Sequence, residues 1–354
     1  MDEFKKALTE ADPFASWWPF ILAGIVFVVG TVRTYMGGQP CPNGNTIPGR
    51  VIVVTGAAGG IGREVCRELT RRKVGCLVLA CRTTEQGESL RELLRREAPE
   101  CTLEVLALDL RSLDSVRRFV RQVQAHHPAV DALVNCAGVI FQPGGRTVDG
   151  YEQHLQCNFL SHFLLTRLLL PQLARSQHGG RVVNVSAHGY TAAKIADRED
   201  PLNLRQLAQS GRDAFAHSKL AIVLAGKVLA RNLKAEGYRT TINCCSPGLV
   251  RGTGHLRHSP IMKALFAKVL TFPWMWLFMK SPAQGAHTIV RLVTDPELAS
   301  CTGDFFNDCE RVEVSELAKD DELAERLYQA ACSAVGLGED LQQEYSNASH
   351  TKKE

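Results

Sequence analysis

Two kinds of apolar pattern divide this chain. Between residues 14 and 32 no acidic or basic side chain interrupts a run whose centre reads FILAGIVFVVG. As a helix those 19 residues would extend about 28 Å, close to the thickness of a bilayer's hydrocarbon core. Trp17 and Trp18 stand at one edge and Tyr35 just past the other, where interfacial aromatics sit. A transmembrane anchor at 14–32 is therefore expected, after a polar segment 1–13 and before a linker 33–49. A cleaved leader fits less well, because four acids precede the run and no small-residue cleavage pattern follows it. Lys5 and Lys6 on one side against Arg33 and Arg50 on the other leave the orientation open.

Past residue 50 the pattern changes to short apolar runs separated by segments of helical period. The runs at 51–54, 76–80, 103–108, 132–134, 182–185 and 240–244 lack a polar face, as strands covered on both sides of a sheet do. Between them, segments such as 62–72, 112–124, 151–174 and 215–236 read as helices. Such alternation predicts a doubly wound α/β fold with a parallel sheet, in one domain over 50–337. The polar end, 338–354, predicts a disordered tail. A stretch dense in aromatics and methionine, 261–279, suits either a greasy ligand, a bilayer contact or a cover over the sheet.

Composition changes this picture little. Hydrophobic content of 45% and charged content of 22% suit a packed core, and a net charge of +4 gives no reason to expect nucleic acid. Twelve cysteines are scattered without a CxxC pair, so spacing supports reduced thiols in a cytosol-facing domain rather than zinc.

Candidate chemistry begins at the first strand–helix turn, VVTGAAGGIGRE. Gly56, Gly60 and Gly62 would let the backbone approach a pyrophosphate, with the helix N-terminus directed at it. At the end of the second strand the chain reads LACR, with Arg82 and no acid before Glu85. An acid there would hold a ribose 2′-hydroxyl, whereas a guanidinium suits a 2′-phosphate, so NADP(H) is the expected cofactor.

TGAAGGIG at 55–62, LDL at 108–110, NCAG at 135–138, VVNVS at 182–186, HSKLA at 217–221 and SPGLV at 246–250 occur in order. Together they resemble the short-chain dehydrogenase/reductase family and its Rossmann fold. ACR, DLRSLDSVRRF, HFLLTRLLLP and KSPAQGAHT resemble its retinol dehydrogenase branch. That resemblance implies an endoplasmic reticulum membrane protein with a cytosolic domain, acting on retinoids or other lipophilic carbonyls. It implies that Thr55, Gly56, Gly60, Ile61 and Gly62 cradle the cofactor phosphates and Arg82 meets the 2′-phosphate. Asp109 and Leu110 would flank the adenine, and Asn135, Ala137 and Gly138 would line the cofactor's middle. Pro247, Gly248 and Val250 would lie by the nicotinamide. Of the family's catalytic Asn, Ser, Tyr and Lys, Asn158 and Lys219 fill their places.

The other two places are changed. The family's Y-x-x-x-K reads Phe215-Ala-His-Ser-Lys219, and the serine position after the fifth strand reads Ala187. Ser186 stands one residue early, where alternation turns it the other way unless a bulge intervenes. Tyr190 begins a second Y-x-x-x-K, but in a loop, and His188 and His217 are the remaining proton donors nearby. Phenylalanine cannot protonate an alkoxide, so the reading is an NADP(H)-binding pseudoenzyme. Its partners would be a lipophilic small molecule, the membrane, and a protein or second copy of the chain. The alternative is an active oxidoreductase with a non-standard donor.

Overall fold

The computed structural model describes residues 17–140, 145–195, 197–202, 211–252 and 265–337, with backbone alone over 265–271. The polar segment 1–13, the first residues of the expected anchor and the tail 338–354 lie outside the described residues. Eight strands form one sheet: β1 (Val51–Thr55), β2 (Cys76–Cys81), β3 (Thr102–Ala107), β4 (Ala132–Asn135), β5 (Arg181–Val185), β6 (Thr241–Ser246), β7 (Phe305–Asn307) and β8 (Glu310–Val312). Their order is 3-2-1-4-5-6-7-8, parallel except for β8. The order reverses between β1 and β4, which opens a crevice at their C-terminal ends.

The strands lack a polar face because both faces are covered. On β1, Val53 packs into one core with Phe119, Leu164 and Leu220, while Ile52 and Val54 pack into another with Val65, Leu69 and Ile289. The first layer is built from α4 (Leu113–His126), α5 (Ser161–Ala174) and α6 (Gly211–Ala235). The second is built mainly from α2 (Gly60–Arg71), α3 (Thr84–Glu97) and α8 (Pro282–Thr294). Helices α9 (Glu316–Lys319) and α10 (Asp321–Ala334) close the first layer. Sequence periodicity missed β7 and β8. Their hairpin turns through Asp308 and Cys309 at φ 50° and 65°, without the Asn-Gly signature usual for such a turn.

The N-terminal apolar helix, α1 (Trp18–Met36), runs four residues into the expected linker, and none of its residues is buried. Its last turn docks on the domain. Arg33 Nη2 donates to Gln284 Oε1 at 2.8 Å, and its guanidinium lies 5.7 Å over the Trp276 ring of α7 (Leu265–Phe278). On α7, Phe272, Trp274, Trp276 and Phe278 are exposed.

Candidate active site

The crevice is an open cleft of about 820 Å³ at the ends of β1, β2 and β4. Gly56 takes φ +64°, and a Cβ there would lie 2.8 Å from Ala137 Cα. A Cβ on Gly62 would lie 2.3 Å from the Gly56 carbonyl. The turn therefore stays bare, and α2 begins at the cleft with an N-cap glycine that supplies no side-chain acceptor. Gly56, Gly60, Ile61, Gly62, Arg82, Asp109, Leu110, Ala137 and Gly138 all line the cleft. Arg82 makes no ion pair among the described residues. The Asp109 carboxylate accepts from Arg111, which holds it below the usual carboxylate range. Arg63 and Arg111, which sequence reasoning did not single out, also line the cleft, Arg111 with its charge matched by Asp109. A helix N-terminus behind a bare turn, with Arg63 and Arg82 beside it, suits a nucleotide that carries a pyrophosphate and a further phosphate.

Several expected contacts stand elsewhere. Thr55 is fully buried behind the loop, where its hydroxyl accepts from the Cys136 and Ala137 amides at 3.0 Å. Asn135 is buried too, and its amide donates to Thr166 and to Asn184 at 2.8 Å across the sheet. These two shape the cleft from behind rather than lining it. Pro247, Gly248 and Val250 follow β6, and Val250 bridges to Lys280. Among the described residues of that loop, Gly252 borders the cleft.

Asn158 stands on a π-helical turn, Leu155–Leu160, that leads into α5. Such widened turns recur at functional positions because they re-aim side chains. Asn158 Oδ1 accepts from the Val139 amide at 2.8 Å, and its Nδ2 donates to Val139 O and, at 3.0 Å, to Ser218 Oγ. Ser218 in turn donates to the Phe215 carbonyl. The side chain thus clamps the loop after β4 to α6.

On α6, Lys219 is buried and its ammonium donates to the Val185 carbonyl at 2.8 Å. Burial brings the lysine down to about 8. The Phe215 ring centre lies 5.8 Å from Lys219 Nζ, one turn earlier, as i and i+4 require. Ala187 is extended and caps a 3₁₀ turn, His188–Ala192, so the β5 exit offers a methyl there. The β5–β6 ladder runs regularly through Val185 and Cys245, and the Ser186 amide continues it by donating to Cys245 O. With no bulge, the Ser186 hydroxyl donates to the Lys219 main-chain carbonyl at 2.9 Å.

Two of the remaining donors are engaged elsewhere, and the third stands at the surface. Tyr190 is buried against Phe305, and its hydroxyl accepts from the Ser315 amide at 3.0 Å. His217 faces the Pro201 carbonyl at 2.8 Å. His188 is exposed on the 3₁₀ turn.

A buried imidazole that sequence reasoning missed ties the two halves of the site. His162 lies 3.0 Å from the Asn158 carbonyl through Nδ1 and 2.9 Å from the Thr55 hydroxyl through Nε2. Burial holds His162 down at about 4. The neutral ring therefore donates from Nδ1 and accepts the Thr55 proton at Nε2. The threonine lone pairs are left for the two amides. One ring thus joins the strand below the glycine turn to the backbone of Asn158.

With this geometry in place, the chain belongs to the short-chain dehydrogenase family, in its retinol dehydrogenase-like branch. A family profile described as short chain dehydrogenase matches residues 50–196. The chain is 37% identical to mouse (Mus musculus) retinol dehydrogenase 13 over 88% of its own length and 93% of that protein. It is 40% identical to mouse polyprenol dehydrogenase over 82% of this chain and 85% of that one. Among solved structures, an uncharacterised protein from Mycobacterium paratuberculosis superposes with a TM-score of 0.65 at 29% identity, covering 84% of this chain and 98% of that one. A short-chain dehydrogenase from Escherichia coli complexed with NADPH shares the fold, with a TM-score of 0.58 at 23% identity, covering 76% of this chain and all of that one.

Proposed function

We propose that this chain is a membrane-anchored, NADP(H)-binding member of its family in which carbonyl reduction is disabled, so that it acts by binding a lipid or a protein partner. One observation carries the reading: the side chain facing the Lys219 ammonium is a phenylalanine ring. Bound NADPH would supply a hydride, and the oxygen of a reduced carbonyl would then need a proton. A positioned acid is worth about 10²–10⁴ in rate. Here the ring has no proton to give, Ala187 cannot hydrogen-bond the oxygen, and Ser186 and Tyr190 are engaged with backbone groups. Arg82 favours the 2′-phosphate of NADP(H) over NAD(H) by charge. The relatives named for retinol and polyprenol point to a long isoprenoid as the lipophilic ligand.

The exposed apolar helix α1 supports a spanning anchor, and twelve free cysteines support a domain in a reducing compartment, as on the cytosolic face of the endoplasmic reticulum. A second reading, an active oxidoreductase with a non-standard donor, has one observation behind it. A buried ammonium at about 8 is an acid of suitable strength near neutral pH. The test pairs a fluorescence titration with NADPH against turnover of retinal by the same preparation. Binding without turnover is expected. Turnover approaching about 1 s⁻¹, the low end for ordinary enzymes, would establish the second reading instead.

A further inference from the structure

Three metal-binding side chains converge at the end of the sheet remote from the nucleotide cleft. Cys76 opens β2, whose far end at Cys81 and Arg82 borders the cleft. Five residue steps of strand put those two ends roughly 17 Å apart. Glu104 sits on β3, where Leu103 and Val105 pack into the second core and Leu106 into the first. Strand alternation therefore turns Glu104 toward α4, a direction its neighbours use for apolar packing. His126 and His127 end α4, directly beyond the stripe of Val116, Phe119, Val120 and Val123.

The carboxylate has unusual company. Among the described residues, no lysine or arginine pairs with it. His127 Nε2 lies 3.1 Å from Glu104 Oε2, His126 Nδ1 lies 3.6 Å from the same oxygen, and the Cys76 thiol donates to Oε1 at 3.9 Å. Each of these partners is a ligand type for borderline-soft cations.

We propose that Cys76, Glu104 and His127 form a binding site for a zinc-class divalent cation, with His126 as the fourth ligand. The ligand atoms of the first three lie within 4.8 Å of one another. Tetrahedral zinc, with bonds of about 2.0–2.3 Å, sets its ligands about 3.3–3.8 Å apart, so closing these three needs a contraction of about an ångström, and His126 must turn in from its exposed position at the helix end. A thiolate and imidazole set selects zinc over magnesium or calcium, which take oxygen donors. On binding, the Cys76 S–H bond is exchanged for a metal–sulfur bond, and its proton leaves to solvent without any change of oxidation state. The cation would fasten edge strand β3 and the start of β2 to the end of α4. That makes it a clip on the fold, with no part in the cleft. CxxC spacing gave no sign of it, because the ligands come from three separate elements.

The test is a cobalt titration of metal-stripped, full-length protein in detergent, followed by displacement with zinc. One Co²⁺ per chain is expected, with a thiolate-to-cobalt charge-transfer band and the intense visible bands of four-coordinate cobalt. Zinc should then raise the melting temperature in a concentration-dependent way. Cys76→Ser should abolish the charge-transfer band, and His127→Gln should weaken zinc by at least the ~10–100-fold that loss of an outer-shell partner costs. Cys101→Ser, at the neighbouring thiol that raises Cys76 electrostatically, should leave the band unchanged. Should Cys76→Ser fail to fold, the wild-type and His127→Gln titrations still decide. A band that survives loss of Cys76, or wild type that neither binds cobalt with a thiolate signature nor gains stability from zinc, overturns the site.

Discussion

The Lys219 ammonium lies 5.8 Å from the centre of the Phe215 ring, one turn apart on the same helix. The helix, the Asn158–Ser218 hydrogen bond and the Val185 carbonyl under the ammonium fix that arrangement. Position 215 itself carries no hydroxyl, and Ala187 offers a methyl at the β5 exit. The consequences separate cofactor binding, which the cleft should keep, from proton delivery, which it should lack.

Arg82 should set the cofactor. NADPH is expected to bind about 10–100-fold more tightly than NADH, the range of a charge-assisted contact of roughly 1.5–3 kcal/mol. Arg82→Asp should reverse the order, because a carboxylate repels the 2′-phosphate and accepts from a 2′-hydroxyl. Calorimetric titration reads both. Equal affinities in wild type would remove the assignment.

Membrane attachment should have two parts. Alkaline carbonate should leave the full-length chain in the membrane if α1 spans it. Removing residues 1–32 keeps Arg33, and with it the contacts to Gln284 and Trp276. That shortened protein should still bind vesicles through the exposed aromatics of α7, and Phe272→Glu with Trp274→Glu should release it. Free solubility of the shortened protein without those changes would show that α7 does not touch lipid.

His162 should make the fold acid-sensitive. Its folded value, about 4, lies below the ordinary 6.5, so between these limits the unfolded chain binds the extra proton. Stability should therefore fall as pH drops from 6.5 toward 4, by about 3 kcal/mol over the window. His162→Gln should flatten that limb in denaturant titrations. A limb of unchanged slope would mean that the ring accepts its proton in the folded state.

Much of this was legible in the chain. Buried strands betray themselves by lacking a polar face, the glycine turn by its place after β1, and Phe215 by the lysine four residues on. What escaped depends on long-range contact. Thr55 and His162 are 107 residues apart and meet only once the sheet is assembled. The turn at Asp308 and Cys309 uses positive φ without glycine. The apolar run stopped the expected anchor at residue 32, yet the helix continues to Met36, and Arg33 in its last turn meets Gln284 of the domain. The placing of Pro247, Gly248 and Val250 by the nicotinamide came from resemblance alone, and among the described residues of that loop Gly252 borders the cleft.

Lys219 should act in the opposite pH range. Burial lowers it from 10.5 to about 8, so its cost is fully present below pH 8 and relieved as pH rises to 10.5. Wild-type stability should climb by about 3 kcal/mol through that window relative to Lys219→Met. Parallel curves for the two proteins would show that the ammonium is not desolvated.

The central claim, a nucleotide site that has lost its proton donor, is tested most directly by steady-state NADPH oxidation with retinal. The assay compares wild type with Phe215→Tyr combined with Ala187→Ser. That pair restores one phenol beside Lys219 and one hydroxyl at the β5 exit. The account predicts turnover near background in wild type, with intact NADPH binding, and a gain of about two orders of magnitude or more in the double variant. Brisk wild-type turnover that the double change leaves unaltered would contradict it.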